Sequence, residues 1–214
     1  MPEFTDVVRA RRMTRAFDSR PIPPETLNEL VELASRAPSA GKTQGWHLVV
    51  LEGPETERFW DITLPTMRRG AFRWKHLLDA PVIALPLADP RAYMSRYSEP
   101  DKQATGLGTS AEAWPVPYWT IDASMSVMTM LLAAEAKGLG ALFFGIFRGE
   151  RELRRALGIP GWMQLLGAVA LGYRADPTGP TSGDETGPGG PGRSAGHRRR
   201  LPEEIIHRGG WRVG

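Results

Sequence analysis

The chain has 214 residues, of which 41% are hydrophobic, so it is long and apolar enough for one domain with its own core. It contains no cysteine, which excludes disulfides, thiolate metal sites and cysteine nucleophiles. The formal net charge is only +3, whereas nucleic-acid-binding proteins usually present a broad basic face. The first residues, MPEFTDVVRARR, lack the apolar run of a signal peptide, and no stretch is comfortably long enough to span a membrane. We therefore expect a cytoplasmic protein that binds neither nucleic acid nor a membrane.

The first part of the chain predicts two helices and a strand. Residues 3–12 have the spacing of a short amphipathic helix. A second helix is expected over 24–37, because apolar residues recur at helical spacing and Pro24 suits a first helical turn. The β-rich stretch HLVVLE predicts a strand over 47–52.

The central part predicts a helix, a strand and an insertion. A helix is expected over 54–62, followed by a buried strand over 81–88. Pro86 lacks a backbone N–H, so the far half of that strand should be an edge or an exit from the sheet. Residues 89–117 are polar and rich in proline and glycine, which is typical of a functional lid or a loop without fixed structure.

The last third alternates helices and strands. Residues 121–136 are apolar on nearly every side, so this helix should be buried in a core or in a dimer. A strand over 141–146, a helix over 149–159 and a strand over 165–173 follow. This order predicts an α+β or three-layer α/β fold.

The end of the chain differs in composition from the rest. Residues 176–200 contain seven glycines and four prolines, too little apolar surface to fold alone. The stretch EEIIH, residues 203–207, is a candidate for one last strand. We expect one domain over 1–175, a crossover segment over 176–200 and a C-terminal arm over 201–214.

Two polar clusters are candidate binding segments. The first is RARRMTRAF, whose arginines either cap a helix end or hold a small anion such as a phosphate between Arg11 and Arg12. The second is APSAGKTQGWH, residues 37–47, which is either an ordinary connecting loop or a loop that meets a planar polar ligand. Gln44 in this loop can both donate and accept hydrogen bonds.

No acid–base or metal constellation is visible in the sequence. The four histidines are scattered without metal-ligand spacing, and no GxSxG or HExxH motif occurs. The stretch GLGALFFG, residues 138–145, is not a dinucleotide fingerprint, because its glycines follow a helix and precede a strand. Gly145 could instead allow a ring to approach the backbone closely. The chemistry should therefore belong to a bound cofactor.

Four segments in order resemble the FMN-dependent nitroreductase family. They are RRMTRAF (11–17), RAPSAGKTQGWHLVVLEG (36–53), GLGALFFGIFRGERELRRALGIPGWMQLLGAVALGY (138–173) and RRRLPEEIIH (198–207). The resemblance implies a three-layer α+β fold with a central, mostly antiparallel sheet flanked by helices. It also implies an intertwined homodimer with FMN at the interface, in which the C-terminal strand of each subunit joins the sheet of the other.

The resemblance also implies which residues bind the cofactor. Arginines 11 and 12 would hold the FMN phosphate, Arg15 would lie near the N1–O2 edge of the flavin, and the loop from Pro38 would reach the flavin of the other subunit. The end of the strand at Gly145 would face the ring. The full set is Arg11, Arg12, Met13, Arg15, Pro38, Ser39, Ala40, Lys42, Gln44, Leu142, Phe143, Phe144, Gly145, Arg198 and Arg200.

The chain departs from the family pattern at four of its positions. Met13 stands where serine is usual, Lys42 and Gly45 stand where asparagine and proline are usual, and Phe144 stands where some relatives have glutamate. These departures affect the expected acceptor more than the cofactor.

The resemblance implies an NAD(P)H-dependent flavin oxidoreductase with a ping-pong mechanism. The acceptor would be an electron-poor small molecule: a nitroaromatic, a quinone or an enone. Tyr93, Tyr97, Trp114 and Tyr118 would form a lid and walls for this substrate, or else pack the insertion onto the domain. No side chain is expected to act as a catalytic acid or base. Two alternatives remain open, a flavin- or deazaflavin-binding protein with little turnover and a nucleic-acid binder that uses residues 198–200.

Overall fold

A computed structural model describes residues 2–175 and 197–211 of the chain. Its main elements are an antiparallel sheet and seven α-helices within those residues. The helices are α1 Phe4–Ala10, α2 Pro24–Ala34, α3 Thr56–Thr63, α4 Thr66–Arg69, α5 Pro90–Tyr97, α6 Tyr118–Ala136 and α7 Glu150–Ala156. The strands are β1 Trp46–Glu52, β2 Val82–Ala88, β3 Gly140–Phe144, β4 Gln164–Leu165 and β5 Ala168–Gly172.

The sheet has the order β1-β2-β5-β3, and every neighbouring pair is antiparallel. Strand β2 is buried along its whole length, and its side chains alternate between two cores. Ile83 and Leu85 pack with α3 and α7 on one face, whereas Val82 and Ala84 pack with α2 and α6 on the other. Burial on both faces explains why β2 reads as a continuous apolar run. The sheet between two helical layers confirms the predicted three-layer α+β fold.

The prediction that Pro86 would mark an edge or an exit was wrong. Pro86 pairs with Leu48 across β1 and β2, and the strand continues beyond it to Ala88. On the other side, the Pro86 carbonyl accepts from the N–H of Leu166. A residue in a strand directs its N and its carbonyl to the same side, so the missing N–H of Pro86 falls where β4 ends and β5 has not begun. The interior position therefore leaves no ladder hydrogen bond unmade.

Other elements differ from the prediction mainly at their ends. The strand expected over 165–173 is broken into β4 and β5, because Gly167 has a φ of 145° that leaves the extended region. Helix α2 ends at Ala34, since the next residues form tighter turns such as Ala37 N–H to Ala34 carbonyl. The insertion over 89–117 contains helix α5 and short 3₁₀ turns.

The last strand predicted over 203–207 does not form within this chain. Residues Pro202–Glu204 form a 3₁₀ helix, and Ile205 follows in an α-like conformation. Residues 176–196, most of the predicted crossover segment, lie outside the described residues. The exchange of a C-terminal strand between subunits therefore remains a prediction.

Candidate functional site

Residues 13–15 dock along the first residues of β3. Met13 forms a parallel bridge with Ala141, and the Thr14 N–H donates to the Ala141 carbonyl at 2.9 Å. Gly140 permits this approach, because a Cβ atom there would stand 2.7 Å from the Thr14 side chain. This contact places Arg15 at the carboxyl end of β3, although 124 residues of sequence separate residues 13–15 from the strand.

A cleft of about 520 Å³ opens at this point. Five residues that the sequence predicted for the cofactor line it together: Arg15, Leu142, Phe143, Phe144 and Gly145. The remaining walls are mostly aromatic or aliphatic side chains, namely Phe59, Trp60, Leu64, Phe72, Trp74, Leu77, Ile146 and Phe147, with Thr63 and Arg148.

Stacked rings build one wall of the cleft. Trp60 and Phe144 lie nearly parallel, with ring centroids 6.1 Å apart, and Phe59 meets Trp60 edge to face at 4.9 Å. The Arg15 guanidinium, which also lines the cleft, lies 5.4 Å from the Trp74 ring centroid. Such ring and cation–π contacts fix the orientation of side chains that have few hydrogen bonds. The cleft therefore presents flat apolar walls beside one ordered cation.

The sequence predicted no part in the site for Phe59, Trp60, Phe72 and Trp74. A signal was present, because RRGAFRWKH, residues 68–76, interleaves aromatic and basic residues directly before a buried strand. Spacing alone does not show that this segment faces α3 and the end of β3. The hydrogen bond from Phe17 N–H to the His76 carbonyl, at 3.0 Å, ties it to the segment that carries Arg15.

Arg11 and Arg12 occupy different environments at the end of α1. One nitrogen of Arg12 donates to the carbonyls of Arg9, Ala10 and Arg11, which is the helix-end role that the sequence left open. Arg11 Nη1 is buried and finds no partner among the described residues. Arg11 therefore has unused donor capacity, whereas Arg12 has one of its nitrogens committed to these carbonyls.

The predicted loop residues lie apart from the aromatic cleft in this chain. Pro38, Ser39, Lys42 and Gln44 line a second, more polar cleft of about 410 Å³. The backbone of Ala40 is fixed by a buried side chain, because its N–H donates to Asp122 Oδ2 at 2.8 Å. The reach of this loop to a flavin in another subunit remains a prediction.

The four candidate substrate residues cluster beside that loop. Tyr93 and Trp114 are buried, and their rings meet edge to face with centroids 5.8 Å apart. Tyr97 packs 4.6 Å from the Trp114 ring, and Tyr118 is 38% exposed. This packing favours the alternative that the aromatic residues seat the insertion on the domain. Their contact with a substrate remains a prediction.

The C-terminal arginines bond within their own segment. Arg198 forms a two-pronged ion pair with Glu204, at 2.7 and 2.6 Å, and Arg200 donates to the Glu204 carbonyl. The carboxylate raises the pKa of Arg198, and the guanidinium lowers the pKa of Glu204. Both arginines are thus paired with Glu204 inside residues 197–211. That Arg198 and Arg200 bind the cofactor, as the resemblance implies, stays a prediction.

The described residues hold neither a candidate membrane span nor a candidate metal centre. None of the helices there is both long and apolar enough to cross a membrane. No group of three or more histidine, aspartate or glutamate side chains in that part of the chain is arranged to hold a metal ion.

Comparisons with known proteins agree over most of the chain. The family model described as "Nitroreductase family" matches residues 8–173. The chain is 31% identical over 180 residues to an NADH dehydrogenase of Thermus thermophilus, a match that covers 78% of this chain and 84% of the relative. It is 27% identical over 197 residues to a 4-nitrobenzoate reductase of a Nocardioides species. That match covers 79% of this chain and 80% of the relative.

A similar solved structure extends the likeness to the whole fold. A candidate nitroreductase from Exiguobacterium sibiricum, crystallised in complex with FMN, aligns with a TM-score of 0.70 at 19% identity. The alignment covers 99% of this chain and 98% of that one. At this identity the likeness shows a shared fold.

Proposed function

Because this chain belongs to the nitroreductase family, we propose that it is an FMN-dependent oxidoreductase that uses NAD(P)H to reduce an electron-poor acceptor in a ping-pong reaction. The acceptor is a nitroaromatic, a quinone or an enone. The observation that carries the proposal is the aromatic cleft, where Arg15 meets the end of β3. The names of relatives support it, since they include an NADH dehydrogenase and a 4-nitrobenzoate reductase.

The cleft fits a flavin in volume and chemistry. Ligand pockets typically enclose about 300–1,000 Å³ and combine apolar walls with a few placed polar groups. The cleft of about 520 Å³ lies within that range, and its walls include the parallel pair of Trp60 and Phe144. Arg15 supplies a cation at one side, and Arg11 retains a buried nitrogen without a partner among the described residues. The walls of the cleft therefore suit a planar ring system such as that of a flavin, and Arg11 is a candidate for its phosphate although it does not line the cleft.

When bound, FMN supplies the redox chemistry, by accepting a hydride from the nicotinamide and passing electrons on to the acceptor. The residues of the chain would bind the cofactor and the acceptor and orient them relative to each other. Arg15 provides fixed positive charge, which favours a neighbouring group that gains negative charge. Phe144 and Trp60 keep water from one side of the cleft and limit how a flat molecule can lie there. Binding and orienting the cofactor and the acceptor in this cleft therefore needs no acid–base side chain.

The proposed enzyme is a cytoplasmic homodimer. A single chain leaves several large apolar side chains of α1 and α6 exposed, including Phe4 at 69%, Ile121 at 41% and Met128 at 41%. Exposed apolar residues on neighbouring helices favour burial against another surface. In the proposed dimer, the polar cleft of Ser39, Lys42 and Gln44 completes the flavin site of the partner subunit.

Anaerobic titration and steady-state kinetics test the proposal. The FMN-loaded protein should lose its flavin absorbance on addition of NADH or NADPH, and an added nitroaromatic, quinone or enone should restore it. Initial rates measured while both substrates vary should give parallel double-reciprocal lines. Bound FMN that neither nucleotide reduces would support a storage or sensing role instead. A protein that takes up no FMN would refute the proposal.

A further inference from the structure

Residues 39–45 form a loop whose backbone has a left-handed φ at three positions, two of which are not glycine. Gly41, Lys42 and Gln44 have φ values of 61°, 56° and 54°. Glycine adopts this left-handed region freely, but lysine and glutamine do so at an energetic cost. Both of these side chains are exposed, so their own packing does not hold the conformation. Such strain persists only where the surroundings fix the backbone.

A buried carboxylate anchors the start of this loop. Asp122 is 5% exposed, and its Oδ2 accepts from the Ala40 N–H at 2.8 Å and from the Tyr93 hydroxyl at 2.7 Å. Tyr93 is itself 1% exposed. A carboxylate in such a place is costly unless donors compensate it, and these two donors come from different parts of the chain. Asp122 therefore joins helix α6, the insertion and the loop at one oxygen.

Helix α5 and the residue before it hold the rest of the loop. Arg96 Nε donates to the Gly41 carbonyl at 2.9 Å, and the Asp89 N–H donates to the Gly45 carbonyl at 2.8 Å. A Cβ at Gly45 would stand 2.7 Å from Tyr93 Cε2, so the ring occupies the space that a side chain there would need. This contact explains why glycine stands where the family pattern has proline.

The Tyr93 hydroxyl remains a donor under ordinary conditions. Burial, followed by the hydrogen bond to Asp122, raises the pKa of Tyr93 far above the usual tyrosine value. The proton therefore stays on the hydroxyl, and the contact to Asp122 does not switch within the physiological pH range.

We infer that Asp122 and Tyr93 are positioning residues that hold residues 39–45 ready for the cofactor, so that the insertion buttresses the site. The inference rests on the proposed function, because it takes the loop to be a flavin contact. Fixing a loop before binding removes the entropy cost of ordering it when the ligand arrives. Loss of the anchor should therefore weaken FMN binding, although neither side chain lines the aromatic cleft.

Three variants and one control separate positioning from general stability. Tyr93→Phe removes one donor and keeps the ring, Asp122→Ala removes the acceptor, and Asp122→Asn keeps an acceptor oxygen. Tyr173→Phe is the matched control, because its ring lies against Arg20 and outside both clefts. Each protein is measured for its melting temperature without FMN, for its FMN dissociation constant, and for hydrogen exchange of peptides covering 39–45 without FMN.

The expected losses follow from one or two hydrogen bonds. FMN affinity should fall about 3–10-fold in Tyr93→Phe and at least about tenfold in Asp122→Ala, and Asp122→Asn should stay within about threefold of wild type. Exchange in 39–45 should be faster in the first two variants and unchanged in Tyr173→Phe. Lower melting temperatures with wild-type FMN affinity would overturn the inference, as would unchanged exchange. If wild type itself binds no FMN, the proposed function fails, and the exchange data still decide whether Asp122 and Tyr93 hold the loop.

Discussion

Gly140→Ala should destabilise the protein and loosen its cleft, although it adds only one methyl group. The new Cβ would stand 2.7 Å from Thr14 Cγ2 and Oγ1 and 3.0 Å from Arg174 Cγ. Threonine is stiff at χ1, so the side chain cannot simply turn aside. Residues 13–15 would have to move away from β3, which strains the hydrogen bond from Thr14 to Ala141 and displaces Arg15.

The magnitude follows from overpacking. Extra methylene groups in tight contacts cost about 1–3 kcal/mol. For a chain of this size each kcal/mol lowers the melting temperature by about 2–4 °C, so the expected fall is about 2–12 °C. FMN binding should weaken about fivefold if about 1 kcal/mol of the strain reaches Arg15.

The assay compares thermal melts at one protein concentration, without and with FMN, and FMN titrations of both proteins. Gly161→Ala is the matched control, because nothing lies within 4 Å of its new Cβ and its φ is ordinary. If Gly140→Ala and Gly161→Ala have the same melting temperature and the same FMN affinity, the close approach of residues 13–15 to β3 is not needed for the site.

Four further predictions concern the cleft, the core, the pH dependence and the arm. Arg15→Gln should lower the reduction potential of bound FMN by about 20–45 mV in a redox-dye titration, which corresponds to about 1–2 kcal/mol for a two-electron couple. Phe59→Ala should cost about 3–5 kcal/mol in urea unfolding, because the ring is 1% exposed and supports Trp60, whereas Met67→Ala, at a residue 91% exposed, should stay within about 0.5 kcal/mol. The raised pKa of Tyr93 means that its stabilisation is complete below the ordinary tyrosine pKa of about 10 and is lost as the pH rises above it, so melts should fall more steeply there in wild type than in Tyr93→Phe. Truncation before Arg198 should weaken FMN binding, measured by titration, and the proposed dimer, measured by sedimentation. Survival of both would contradict the proposed role of the arm.

Local patterns in the sequence were enough to predict most of the fold. Leu27, Leu30 and Ala34 recur at helical spacing and are all buried on one face of α2. The apolar run of β2 required a strand covered on both faces, and the structure has that arrangement. The prediction for Pro86 was wrong. A missing N–H costs a strand a hydrogen bond only if a neighbouring strand offers an acceptor at that residue.

The candidate site was only partly predictable. Arg15 and residues 142–145 were expected near one another because of a resemblance, and they line one cleft. Trp60 and Trp74 line the cleft only because three segments that are distant in the sequence pack together. No local sequence pattern specifies that packing. Asp122 offered a signal that sequence reasoning passed over. Helix α6 contains two carboxylates, Asp122 and Glu135, and Glu135 pairs with Arg174. The buried Asp122 needs buried donors, and those donors were in the loop and the insertion.

The central claim is that the aromatic cleft beside Arg15 is a flavin site, and direct titration of the FMN-free protein with FMN tests it. We expect saturable binding of one FMN per chain, with quenching of the flavin and of tryptophan fluorescence, because Trp60 and Trp74 line the cleft. We also expect Trp60→Leu to reduce the tryptophan quenching. Failure to bind FMN, or binding that leaves both tryptophans unaffected, would contradict the account.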